Sequence, residues 1–169
     1  SASDLFKAQP ITFESMRIAK ERAADKVEVE LLSAHYAEDE NMLPEGFKAV
    51  GVLEQSVLDH ATLSPAIKLP LISEILYKAY HETDADYIIY TNVDIGLYPN
   101  FYKRVTELIH AGHDAIIVNR KRLPEIFPEP NHLDSIFKME GKSHPGFDCF
   151  IFKRELFQKM QLEKVCIGV

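Results

Sequence analysis

The sequence predicts a three-layer α/β/α fold around a mixed, mainly parallel sheet. Segments of helical periodicity alternate with short runs of β-branched and aromatic residues, which is typical of this class. Apolar residues make up 46% of the chain and charged residues 27%, as in ordinary globular proteins. Because 169 residues can bury one sizeable core, we expect residues 1–169 to form a single α/β domain.

Helical periodicity marks three long segments and two short ones: Thr12–Lys26, Leu69–His81, Pro99–Ala111, Leu133–Met139 and Arg154–Met160. Thr12 is expected to cap the first helix, whose apolar stripe is Phe13, Met16, Ala19 and Ala23. Pro70 suits the first turn of the second helix, where its missing N–H costs nothing. Gly112 suits the position just after the third helix.

Strands are expected where apolar residues alternate or run together: Val27–Leu32, Phe47–Leu53, Tyr87–Tyr90, Asp114–Asn119 and Phe147–Phe152. Loops are expected at His35–Gly46, Leu123–Pro130 and Gly141–Gly146. A nucleotide-binding sheet normally begins with a strand, whereas the first element that the pattern predicts here is a helix. The chain also stops at Cys166-Ile-Gly-Val in the middle of what reads as a new element. We therefore expect a fragment or a split domain that lacks its first strand.

Charge and composition argue against several classes of protein. The formal net charge is −7 and no basic block stands out, which argues against a nucleic-acid binder. No apolar run approaches the roughly 20 residues of a membrane span. The first residues lack the features of a signal peptide, and two cysteines make neither a disulfide framework nor a zinc site. A cytoplasmic location is therefore expected.

Asn92 and Asp94 follow the most apolar strand, where open α/β sheets bind their ligands. In extended geometry two residues that are two apart leave the same face of the chain. An amide oxygen and a carboxylate that converge in this way can hold a hard divalent cation together with phosphate oxygens. The alternative is that Asn92 and Asp94 only shape a turn and cap the next helix.

Two further polar groups follow or precede predicted strands. Arg120 stands in the basic run 119–122 after the fourth strand and can bind a diphosphate, although the favoured interpretation of any single residue of the run is a solvated basic turn. His144 can ligate a metal or hold a phosphate, and Asp148 can accept a proton from a hydroxyl. A carboxylate between Phe147 and Cys149 on an apolar strand is costly without a purpose, although it could simply bind nearby backbone.

Lys68 precedes the second helix, where its charge opposes the helix dipole. We therefore expect its ammonium group to turn away from the helix and towards an anion. The other histidines show no metal-ligand spacing and are interpreted as surface residues.

The segment YIIYTNVDIGLYPNFY, residues 87–102, resembles the motif region of GT-A-fold glycosyltransferases, and HPGFDCFIFKRELF, residues 144–157, resembles the strand that supplies an acid near the acceptor sugar. The resemblance implies Mn²⁺ or Mg²⁺ bound by Asp94 with Asn92, a nucleotide-sugar donor held by Arg120, His144 and Lys68, and Asp148 as the catalytic base for an acceptor hydroxyl. Asn92 departs from the pattern, because an acid usually stands at that place.

The expected function is thus a metal-dependent glycosyltransferase, with a non-catalytic GT-A-like binding or structural domain as the alternative. A phosphatase with an aspartate nucleophile ranks below both, because the amide of Asn92 could not attack phosphorus. A homodimer is also expected, since the edge left by a missing strand would tend to pair with another chain.

Overall fold

The structure is a computed structural model that describes residues 2–123 and 133–166. The chain forms two compact units, each assembled from two segments. The first unit combines Ser1–Val29 with Ile89–Ile151, and the second combines Glu30–Ile88 with Phe152–Val169. The expectation of a single domain stays a prediction.

Helices and strands alternate in the described residues, so the predicted α/β class is confirmed. The helices are α1 (Ala2–Ala23), α2 (Ile72–Glu82), α3 (Phe101–His110) and the single turn α4 (Leu133–Ile136). The strands are β1 (Leu32–His35), β2 (Lys48–Val52), β3 (Tyr87–Thr91), β4 (Ala115–Arg122) and β5 (Lys142–Lys153). Short 3-10 helices span Ala37–Met42, Val57–Asp59 and Arg154–Lys159.

The strands form two sheets of different kinds. β1 and β2 make a two-stranded parallel sheet, with Leu32 opposite Lys48 and an irregularity between Ser33 and His35. β3, β5 and β4 make an antiparallel sheet in that order, with β5 in the centre. The sequence predicted a mainly parallel sheet, whereas only the pair β1 and β2 is parallel among the described strands. The three-layer arrangement stays a prediction.

The first helix is much longer than its sequence pattern suggested. α1 begins at Ala2, so Thr12 lies in its interior with 1% exposure, and the expectation that Thr12 is the N-cap is wrong. Pro10 lacks an N–H and removes one helical hydrogen bond, but it does not end the helix. The buried face consists of Thr12, Ser15, Met16, Ala19 and Ala23. Their spacing of three and four residues is that of one helix face.

One predicted loop and one run interpreted as a basic turn are wholly or partly strand. The basic run 119–122 belongs to β4 up to Arg122, and the predicted loop Gly141–Gly146 belongs to β5 from Lys142 onwards. Gly141, Pro145 and Gly146 argue against a strand, which is why the sequence predicts a loop over Gly141–Gly146. The predicted strand Val27–Leu32 is also displaced, because β1 begins at Leu32. Of the predicted loop Leu123–Pro130, residues 124–130 lie outside the described residues, as do residues 167–169.

Helix ends follow the predicted signals in one case and not in another. α3 ends before Gly112, which has a φ of +93°. The Gly112 amide donates to the Ile109 carbonyl (2.9 Å) and the His113 amide to the Leu108 carbonyl (3.2 Å), as in a Schellman motif. Pro70, by contrast, lies outside α2, in an isolated bridge with Ser56. No helix in the described ranges is long and apolar enough to cross a membrane.

Candidate functional site

The candidate site lies in the first unit, on the antiparallel sheet. Because β5 runs opposite to β3, the residues after the end of β3 lie beside the first half of β5. The second half of β4 lies on the other side of the same part of β5. This arrangement gathers four of the six residues that the sequence singled out: Asn92, Arg120, His144 and Asp148.

Asn92 is held at both ends of its amide. The Tyr90 hydroxyl donates to Asn92 Oδ1 over 2.9 Å, and Asn92 Nδ2 lies 3.4 Å from Asp148 Oδ1, to which it donates a long hydrogen bond. Burial, followed by the charges of Asp148 and Asp94, raises the pKa of the Tyr90 hydroxyl above its ordinary range. Tyr90 therefore stays protonated and fixes the orientation of the Asn92 amide.

Asp148 forms an ion pair with Arg120. The Nε atom of Arg120 lies 3.0 Å from Asp148 Oδ2, and the two side chains are 29% and 17% exposed. Although this contact is short, Oδ2 is buried and accepts no well-directed hydrogen bond. The attraction between the two charges does not depend on the N–H direction, so we treat the contact as an ion pair that leaves a lone pair of Oδ2 unused.

His144 also contacts the Arg120 guanidinium, with 3.3 Å between His144 Nε2 and Arg120 Nη2. The backbone amide of Gly146 donates to His144 Nδ1 over 2.9 Å. A Cβ atom at position 146 would lie 2.9 Å from Nδ1 and 3.0 Å from Cε1 of this ring. Only a glycine at position 146 therefore leaves room for the ring in this position.

Asp94 makes no hydrogen bond to the residues of this cluster. The chain is not extended after β3, because Val93 and Asp94 form a turn in which the Ile95 amide donates to the Asn92 carbonyl over 3.3 Å. The extended geometry assumed for Asn92 and Asp94 is therefore wrong. The Asp94 side chain is exposed, and within the described part of the chain its carboxylate has no hydrogen bond or ion pair.

Lys68 belongs to the second unit. Its ammonium group pairs with the Glu38 carboxylate and lies 3.8 Å from the centre of the Tyr36 ring. The anion that Lys68 contacts is therefore a carboxylate of the same chain, that of Glu38. Its predicted role in substrate binding stays a prediction.

Tyr90 and Gly146 are contact residues that the sequence did not single out for the site. The sequence places Tyr90 in a buried strand and Gly146 in a turn. A signal for both was present, since positions 90 and 92, and positions 144, 146 and 148, share a face once each segment is extended.

Oxygen ligands for a divalent cation are few at this site. No group of three His, Cys, Asp or Glu side chains suited to a metal occurs among residues 2–123 and 133–166. The exposed Asp94 carboxylate and the Asn92 amide remain as donors. One or two protein oxygens suit a Mg²⁺-type ion that keeps its waters and is also bound by substrate phosphates. The donor set therefore fits an ion that arrives with a phosphate ligand better than a resident one.

Comparison of the chain with protein-family models, with curated proteins and with solved structures found no match. The class of protein defined by fold and site is therefore a mixed α/β protein with a polar cluster at the end of strand β3.

Proposed function

We propose that this chain is a metal-dependent, glycosyltransferase-like domain that binds a nucleotide-diphosphate sugar on the antiparallel sheet and transfers the sugar to an acceptor hydroxyl. The observation that carries the proposal is the cluster of Asn92, Arg120, His144 and Asp148 beside the end of β3. It joins a guanidinium, which suits a diphosphate, to a partly buried carboxylate, which suits a hydroxyl. The GT-A architecture is part of the same proposal.

Each residue has a defined task in this reaction. Arg120 binds the diphosphate and stabilises the negative charge that develops on it in the transition state, as the bond to the sugar breaks. Asp148 accepts the proton of the acceptor hydroxyl once the bound ligand has drawn the Arg120 guanidinium away from its Oδ2. Asn92 holds the other oxygen of Asp148 and so orients the carboxylate. When bound, Mn²⁺ or Mg²⁺ supplies further charge neutralisation at the diphosphate, with Asp94 as its chief protein ligand.

A second function is a domain that binds the same ligand without catalysis. The observation that favours it is the engagement of Asn92, since an uncharged amide stands where an acid is expected and its oxygen already accepts a hydrogen bond from Tyr90. The pairing of Asp148 with Arg120 also leaves no free base before a ligand draws the guanidinium away.

Calorimetric titration with UDP- and GDP-sugars, with and without Mn²⁺, tests the proposal. We expect binding that needs the metal and that weakens at least about tenfold in Asp94→Ala, because a metal loses its charged ligand. Asp39→Ala, which removes an exposed aspartate of the second unit, is the matched control and should bind as the parent does.

The two functions separate when turnover is measured beside binding. Release of nucleoside diphosphate that stops in Asp148→Asn supports the transferase. Metal-dependent binding without any turnover supports the non-catalytic domain. Binding that ignores both Mn²⁺ and Asp94→Ala, or no binding of any nucleotide sugar by the folded protein, contradicts both forms of the proposal.

A further inference from the structure

The contact between Arg120 and His144 joins two hydrogen-bond donors. A neutral imidazole has one N–H and one acceptor nitrogen. Both ring nitrogens of His144 face an N–H donor, and the ring can accept from one of them only. The Gly146 amide contact with Nδ1 is the shorter, 2.9 Å against 3.3 Å, so we place the acceptor on Nδ1 and the ring proton on Nε2. A guanidinium carries donors only. The 3.3 Å approach of Arg120 Nη2 to His144 Nε2 is therefore an approach of two N–H groups, with no acceptor between them.

The nearby carboxylate does not resolve this donor-to-donor contact. Asp148 Oδ2 lies 3.0 Å from Arg120 Nε, and Asp148 Oδ1 accepts from Asn92, so neither oxygen accepts from Arg120 Nη2 or His144 Nε2. An external acceptor that lies beside both nitrogens would accept from Nη2 and from Nε2. An anionic oxygen is the strongest such acceptor, because charge-assisted hydrogen bonds are about twice as strong as neutral ones.

More positive charge lies on the same face of the sheet. Arg122 is two residues after Arg120 on β4, and Lys142 is two residues before His144 on β5, so each shares a face with its neighbour. Both side chains are exposed, and neither has an ion-pair partner within the described ranges. Arg120 and Asp148 cancel each other formally, and Arg122 and Lys142 outnumber Asp94, whose charge also reaches the site, so a net positive charge remains. This charge favours an extended phosphate group over a single carboxylate.

We infer that Arg120 Nη2 and His144 Nε2–H form a two-donor subsite for a phosphoryl oxygen of a diphosphate. The Gly146 amide sets the tautomer of His144 in which Nε2 carries the proton. The inference specifies atoms within the site proposed above and in that sense rests on the proposed function. Gly146 is a positioning residue, because it acts through the ring of His144. The same tautomer excludes His144 Nε2 as a metal ligand, since a ligating nitrogen carries no proton.

Nitrogen-15 NMR of the His144 ring in the unaltered protein is the first test. The couplings from the ring carbon-bound protons to the two nitrogens identify the one that carries the proton. We expect the proton on Nε2 in the neutral ring. A proton on Nδ1 would overturn the inference, and this result needs no variant.

Pyrophosphate binding to four variants is the second test. In His144→Gln the side-chain amide nitrogen reaches about as far as Nε2 and keeps the donor, whereas in His144→Asn it does not. We expect His144→Asn to weaken pyrophosphate binding at least about tenfold and His144→Gln to retain most of it, since one hydrogen bond to a charged group is lost. Gly146→Ala should weaken binding similarly, because its Cβ displaces the ring.

Gly96→Ala is the matched control for Gly146→Ala, because its Cβ would meet only Ser15 Oγ at an ordinary 3.7 Å. Equal pyrophosphate affinity in the parent, His144→Asn and Gly146→Ala overturns the inference, as does a parent that binds no pyrophosphate. Binding that follows the expected order without any sugar transfer supports the subsite and overturns the transferase alone. Sugar transfer by a protein whose pyrophosphate affinity is unaffected by His144→Asn supports the transferase and overturns the subsite alone.

Discussion

At the scale of single residues, polar side chains that make two hydrogen bonds each connect separate segments of the first unit. Ser15 is fully buried in α1, where its Oγ donates to the Thr12 carbonyl over 2.7 Å and accepts from the Leu97 amide over 2.8 Å. The hydroxyl thereby ties the helix to the chain segment that follows β3. The Asn92 amide likewise connects strands β3 and β5, through its hydrogen bonds with Tyr90 and Asp148. Buried polar groups of this kind are costly when one partner is removed.

Ser15→Ala should lower the free energy of unfolding by about 1–3 kcal/mol, because the buried Leu97 amide then loses its acceptor. Urea unfolding gives this value from the shift in midpoint. Ser143→Ala, which alters an exposed serine of β5, should stay within about 0.5 kcal/mol of the parent. Equal midpoints for Ser15→Ala and Ser143→Ala would show that the Ser15 hydroxyl does not stabilise the fold.

At the scale of elements, strand β5 decides the position of the site. Its first half extends beyond the end of β3, since Asn92 already lies beside Asp148. Pro145, which has no N–H to donate, occurs in this half, where a missing ladder hydrogen bond costs least. β5 therefore presents His144, Gly146 and Asp148 on one face as a regular strand would.

The end of α3 is a second element with a local cause. Gly112 has a φ of +93°, a region that side chains with a Cβ rarely adopt. Gly112→Ala should therefore cost about 1–2 kcal/mol of unfolding free energy even though no atom lies within 4 Å of the added Cβ. Thermal unfolding measures the effect, with Gly96→Ala as the control at a φ outside that region. A cost no larger than that of Gly96→Ala would contradict backbone strain at this helix end.

At the scale of the whole molecule, buried thiol and phenol groups link stability to pH. Burial, followed by the charge of Asp148, raises the pKa of the Cys149 thiol from 9.0 to about 12. Burial also raises the pKa values of Tyr90 and Tyr102 above their ordinary 10.0. In each case the unfolded chain loses its proton at a lower pH than the folded one.

The contribution of these groups to the free energy of unfolding should thus be fully present below pH 9. It should be lost between pH 9 and 12, where the unfolded state binds fewer protons than the folded state. Each of these groups contributes a slope of up to about 1.4 kcal/mol per pH unit. Urea midpoints measured from pH 8 to pH 11 test the fall. Tyr102→Phe should reduce the slope, whereas Tyr77→Phe, which alters an exposed ring, should not. Midpoints independent of pH over this range would contradict the linkage.

The sequence by itself determined the α/β class, the identity of the apolar strand at Tyr87–Thr91 and the glycine that ends α3, because hydrophobic periodicity and φ preferences are local properties. It also identified Asn92, Arg120, His144 and Asp148 as chemically notable. Only the tertiary structure decided that Gly141–Gly146 is mostly strand, that β5 lies antiparallel between β3 and β4, and that Asp94 lies on a turn. Strand pairing depends on partners distant in the chain, and those hydrogen bonds overrule the local preference of proline and glycine for turns.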